Sequence, residues 1–361
     1  MLDAALFLVL AAVPSATPAA GPPVDINRPL VHDVTMTVDV GPARDVLVLL
    51  EGRPGAPAAL RRLRESRPFS LGLARNGGNP DDVLGRLVSA AAGTPDPLLS
   101  GYARRAGTFG KVLDALETDG TPGAMVVARR VAALLPGSTR VTARLRLVPL
   151  FGLTAFEDVV AEPDGETTWL FFDLPRLAPE GTADVVPREV VLSVLRAAGA
   201  ESWNRLFDPF RAPPAWPEEK APDFDALLGR TVGAGPATTF LIPDEFYPVG
   251  AMFEEQIERS FERWNDAAET LLDPKAKAEA KREAFLAATT RGDFWNRHAS
   301  VVGVKVTETL LSRAGAERYL EALAAGPRAV AALYVEVTKR TKEPALGKAV
   351  RKALETRPPE G

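Results

Sequence analysis

Apolar positions along the chain recur mostly at helical spacing, and a short interval in the middle alternates as strands do. Residues 34–40 alternate and are rich in β-branched side chains, which predicts a strand; residues 43–50 then read as a short buried helix ended by Gly52. Helical pieces follow near 57–66, 80–92, 97–105 and 109–117, divided by Gly and Pro. Pro122 stands at the first position of a helix running to about Leu135. The period changes at 140–148, where Val141, Ala143, Leu145 and Leu147 share one face and Arg144 and Arg146 the other. Residues 156–161 predict a second strand, Glu162-Pro163-Asp164-Gly165 a turn, and 167–174 the next strand. The run 169–172 is apolar on both faces, as in a covered strand.

A polar, Pro-rich loop leads to a helix at 187–200 with Val190, Val191, Val194, Leu195 and Ala198 inward. Beyond another Pro-rich stretch, helices are predicted at 224–241, 254–272, 275–289, 299–313, 315–324, 327–341 and 345–355. Phe253, Ile257, Phe261, Trp264, Ala268 and Leu271 mark the apolar stripe of the 254–272 helix. The expected fold is α+β and mostly helical. A helical N-terminal region (23–137) precedes a small, mostly antiparallel sheet with the 187–200 helix (138–207). A linker (208–223) and a helical C-terminal lobe (224–355) follow, with a cleft between sheet and helices.

Composition narrows the function. The chain has 361 residues, 46% hydrophobic, enough for a sizeable core. A formal charge of −4 and the lack of a basic stretch argue against a nucleic-acid partner. The absence of cysteine excludes disulfides, thiolate metal sites and cysteine nucleophiles. With two histidines, His32 and His298, a site using more than one imidazole needs these two to meet. Residues 4–13 form a short apolar run followed by Ser15, Ala16, Ala19 and Ala20, as in a signal peptide, although Asp3 and the lack of a preceding Lys or Arg depart from that pattern. Residues 1–22 are therefore expected to be a signal peptide or disordered leader, and the protein periplasmic or secreted. The run is shorter than the roughly 17 residues a span needs, so no integral membrane span is expected.

The chemistry turns on the 187–200 helix and on softer patterns elsewhere. Leu134-Leu135-Pro136 closes the N-terminal helices, strands follow at 140–148 and 169–174, and Ala234-Gly235-Pro236-Ala237 lies in a later helix. Tyr247-Pro248-Val249-Gly250-Ala251-Met252 then leads into Glu255-Gln256-Ile257-Glu258. In these features the chain resembles, over roughly residues 34–335, a family of bacterial secreted gluzincin-type zinc metallopeptidases of unknown function. In that family one helix carries two zinc-binding histidines at i and i+4 beside a glutamate base, and a second helix supplies a glutamate ligand. The resemblance places Leu192 and Arg196 at the histidine positions, Ser193 at the base and Ala234 at the third ligand. Leucine and alanine offer no donor, and arginine is a permanent cation. The chain is thus expected to be a degenerate member, a pseudoenzyme with no metal and no cofactor, that binds a peptide, protein or other ligand in the former active-site cleft.

Two other readings remain open at this level. One is a hydrolase with a relocated site, using His298 with Glu254 or Glu258, or with Asp293 or Glu308. The other is a structural envelope protein whose cleft is filled by bulky side chains around Leu192. The stripe Glu254, Glu258, Glu262 beside Arg259 and Arg263 reads as a solvated, ion-paired face. Glu162, Asp164 and Glu166 supply too few oxygens for calcium. Residues 75–79 lack the lysine of a phosphate loop, and Ser193 lacks the setting of a nucleophile elbow.

Overall fold

The structure, a computed structural model, describes residues 32–75, 78–137, 140–151, 159–177, 186–207, 221–241, 251–289 and 296–356. Strand β1 (Asp33–Val38) enters a run of helices: α1 (Gly41–Leu50), α2 (Ala56–Glu65), α3 (Arg67–Arg75), α4 (Pro80–Ala91), α5 (Pro97–Arg104), α6 (Ala106–Ala115) and α7 (Thr121–Ala133). Strands β2 (Thr142–Leu150), β3 (Val160–Asp164) and β4 (Thr167–Asp173) follow, then α8 (Leu174–Leu177) and α9 (Pro187–Leu206). The C-terminal part is helical throughout its described residues: α10 (Phe224–Leu241), α11 (Ala251–Leu272), α12 (Ala278–Thr289), α13 (His298–Arg313), α14 (Ala316–Ala325), α15 (Pro327–Thr338) and α16 (Lys348–Glu355). The α+β, mostly helical class expected from the pattern is what the chain adopts.

The sheet is mixed, not mostly antiparallel. Its order is β1-β2-β4-β3; β1 pairs β2 and β2 pairs β4 in parallel, and only β3 pairs β4 antiparallel. The reason is connectivity. A parallel neighbour needs a long crossover, and α1–α7 supply one between β1 and β2. β1, which falls in the sequence-defined helical region, is therefore a sheet edge. The hairpin is also tighter than expected: β3 runs through Glu162 to Asp164, and Gly165 (φ 60) begins a two-residue connection that a left-handed glycine permits. α3, which the periodicity missed, lies on the sheet where Gly72 leaves room; a Cβ there would meet Leu150 Cδ1 at 2.2 Å.

Two apolar cores fill the molecule. The first holds β1, α1–α6, the sheet and the N-terminal half of α9, with Phe69, Phe109, Phe171 and Phe172 fully buried. The second holds α10–α16 with the C-terminal parts of α7 and α9, and Trp203, Trp264, Tyr319 and Tyr334 at its centre. α7 and α9 thus belong to both cores. His32 ties their seam: its Nδ1 accepts from the Val141 N–H (3.1 Å), so Nε2 carries the proton and donates to the Leu135 carbonyl (3.2 Å). One of the two histidines is therefore occupied in joining β1 to the start of β2 and the end of α7.

Candidate functional site

α7 and α9 lie closely side by side because glycine stands at their contacts. A Cβ on Gly123 would meet Leu195 Cδ1 at 2.5 Å, and one on Gly199 would meet Val127 Cγ1 at 3.0 Å and Phe240 Cδ1 of α10 at 2.6 Å. Near the N-terminal ends of the pair is a groove of about 400 Å³, lined by Asp119, Pro122, Gly123, Arg188, Val191, Leu192 and Leu195.

The floor of this groove has a local cause. α6 and α7 are joined by a π-helical segment at Leu116–Gly120, all in right-handed conformation, so the chain winds continuously from Ala106 to Ala133. Pro122 has no N–H, and its ring would clash with the carbonyl four residues back in a regular α-helix. A wider turn ahead of it relieves the clash, and such bulges recur at functional sites. Here the wide turn sets Asp119 on the groove wall.

Leu192 is 42% exposed and opens onto this groove. Ser193 is also exposed, and Arg196 is half-buried one turn further on. Ala234, on α10, is half-buried; its neighbour Gly235 closes onto α13, where an added Cβ would meet the Gly303 carbonyl oxygen at 2.5 Å. The structure brings Leu192 together with Asp119 and Arg188, while Arg196 and Ala234 are not among the walls of the groove. These four positions do not fit a zinc ion: two are hydrocarbon, one is a cation and one a neutral hydroxyl. Among the described residues no group of three His, Cys, Asp or Glu is placed to hold a metal.

The groove is apolar in character. Met125 (54% exposed), Val126 (42%) and Val186 (46%) join Leu192 among the large hydrophobic side chains left at the surface, and all four lie on α7, on α9 or just before it. Asp119 and Arg188, both exposed, place one charge of each sign beside this apolar surface. Asp119 and Arg188 were not singled out from the sequence, where Pro122 reads as the start of a new helix and not as a residue within one continuous run.

His298 begins α13 and lines a separate cavity of about 460 Å³ with Arg263, Asp266, Thr270 and Asn296. Its Nδ1 lies 3.2 Å from Ser260 Oγ. Burial, and then the positive charges of Arg259 and Arg263, hold its pKa below the usual imidazole value. Ser260 is 1% exposed, inside the α11 contact, and was not singled out from the sequence. Glu254 and Glu258 are exposed, and among the described residues the hydrogen-bond partner of His298 is Ser260. Asp293 and residues 247–250 of the tyrosine-glycine motif lie outside the described residues. Within the described residues no helix is long and apolar enough to cross a membrane. Comparison of the chain with family models, with curated proteins and with solved structures finds no match.

Proposed function

We propose that the chain is a non-catalytic, peptidase-like binding protein, exported to the periplasm or the medium, that holds an extended peptide segment in the groove beside Leu192. One observation carries this reading. A leucine at the position where the resemblance puts a zinc-binding histidine is left open on an apolar groove, with Met125, Val126 and Val186 exposed on the same pair of helices or beside it. Large apolar side chains left open beside a groove mark candidate interaction sites on proteins. Asp119 and Arg188 at the groove offer partners for the amide and carbonyl groups of an extended chain. A purely structural protein with a packed cleft would bury Leu192 instead. A hydrolase built on His298 has Ser260 as its neighbour, and a hydroxyl that is 1% exposed is out of reach of a substrate.

The test is a titration of the protein with fluorescently labelled, unfolded casein peptides, followed by anisotropy. The wild-type chain is expected to bind them without cleaving them. Leu192→Asp, a change at an exposed position, is expected to keep the circular dichroism spectrum and weaken binding about tenfold, as removing a buried apolar anchor does. Equal binding by wild type and variant would overturn the assignment of the groove. Chelator-sensitive cleavage of the peptides, with one zinc per purified chain, would overturn the non-catalytic reading.

A further inference from the structure

We infer that a second site, separate from the Leu192 groove, binds a free α-amino acid at the carboxyl edge of the sheet. Parallel strands place ligand sites beyond their C-terminal ends, and β1, β2 and β4 are parallel here. β4 ends in Asp173, in register with Leu150 at the end of β2. Just beyond it is a bowl of about 370 Å³ whose walls include Asp173, Tyr102, Arg105 and Arg176.

The chemistry of these four groups defines the ligand. Asp173 is 8% exposed, so the bowl is lined in part by a largely buried carboxylate. Tyr102 is 9% exposed; its ring is held edge-on against Phe109 (6.1 Å) and tilted against Phe151 (6.0 Å), so the phenol is fixed in place. Burial and then the negative charge of Asp173 push its pKa up to about 12, which keeps the hydroxyl a donor. The Arg105 guanidinium sits 4.7 Å from the Phe109 ring centroid, which restrains its direction. Arg176 stands exposed on α8, three residues beyond Asp173.

Two guanidinium groups suit a carboxylate, because each presents several donors in a planar fork. A carboxylate accepts about four hydrogen bonds, so Asp173 has capacity for a ligand ammonium beside any protein partner. An α-amino acid carries its ammonium and its carboxylate on one carbon, at a separation that a single small bowl can meet. Leu98, 39% exposed, with Pro97 and Pro175, gives the rim an apolar part that an aliphatic side chain would cover.

Isothermal titration calorimetry of the full chain distinguishes this ligand from simpler ones. l-Leucine is expected to bind. N-acetyl-l-leucine, which lacks the ammonium, and l-leucinamide, which lacks the carboxylate, are each expected to bind at least about tenfold more weakly. Arg176→Gln, a near-isosteric change at an exposed position, is expected to keep the circular dichroism spectrum and to weaken l-leucine about tenfold while leaving casein-peptide binding at the Leu192 groove unchanged. Tight binding of N-acetyl-l-leucine would identify a carboxylate-only site, such as one for a peptide C-terminus, and overturn the proposal. So would the absence of heat with l-leucine at millimolar concentration, or unchanged affinity in the arginine variant.

Discussion

Glu308 shows how a single carboxylate can cost stability at neutral pH. It is half-buried on α13, and burial first, with Lys305 opposing and Glu343 adding to it, raises its pKa from 4.5 to about 7. Glu343 is held the other way: burial raises it, but hydrogen bonds from Lys305 (2.9 Å) and Arg313 (2.9 Å) outweigh that and lower it. For Glu308 the folded state binds a proton that the unfolded chain has already released between pH 4.5 and about 7. Stability therefore falls as pH rises through that window, and a deficit of at most about 3 kcal/mol, reduced by the solvent that reaches a half-buried group, is present above it. Glu308→Gln is expected to raise the melting temperature at pH 8 and leave it nearly unchanged near pH 4. Thermal unfolding by circular dichroism at the two pH values checks this, and an equal shift at both would show that the charge is not the cause. The sequence offers Glu308 only as a partner for His298; that Glu343, 35 positions away, comes near enough to raise its pKa depends on the tertiary fold.

At the scale of elements, close helix contacts depend on glycines whose purpose the sequence conceals. α10 and α13 meet at Gly235 and Gly303, and a Cβ on Gly303 would lie 2.0 Å from the Thr231 carbonyl oxygen, a backbone atom that cannot move aside. Gly303→Ala is expected to destabilise by roughly 2–3 kcal/mol or more, since the helices must separate. Gly85→Ala has the opposite sign: the glycine is exposed inside α4 and an added Cβ meets nothing within 4 Å, so a gain of about 0.5–1 kcal/mol is expected. Urea midpoints of the two variants check the pair; a loss of stability in both would mean that helix propensity, not contact, is misjudged. The same contrast explains what the pattern could reveal. The apolar stripe of α11 and the alternation of β2 were legible because they record which side of one element is buried. The pairing of β1 with β2, the run of α3 past Gly72, and the bulge ahead of Pro122 were not, because each depends on a partner far away or on the whole run of a helix. The site was legible only by position: Leu192 lies on an accessible helix face, but Asp119 and Arg188 come beside it through the π-helical turn and the packing of Gly123 on Leu195.

For the whole molecule, the arrangement of the two cores sets how binding is felt. α7 and α9 run from one core into the other, with Val191, Val194 and Ala198 in the first and Ala200, Trp203 and Phe207 in the second. Trp203 adds a polar fastening, its indole N–H donating to the Leu134 carbonyl (3.2 Å) at the end of α7. Neither core can lose its packing without exposing half of these two helices, so they should unfold together. A chain of this length often shows separate transitions, and the shared helices are the physical reason to expect one. Differential scanning calorimetry is expected to give a single peak with matching calorimetric and van't Hoff enthalpies. A ligand in the Leu192 groove rests on the N-terminal ends of the same helices, so it should raise that one melting temperature as its concentration passes the dissociation constant. Trp203→Ala, which removes a fully buried indole from the seam, should lower stability by about 3–5 kcal/mol and split the peak in two, after which the peptide should shift only the transition of the sheet-containing core. Two peaks already present in the wild-type chain would mean that α7 and α9 do not couple the cores, and that the groove belongs mechanically to one of them alone.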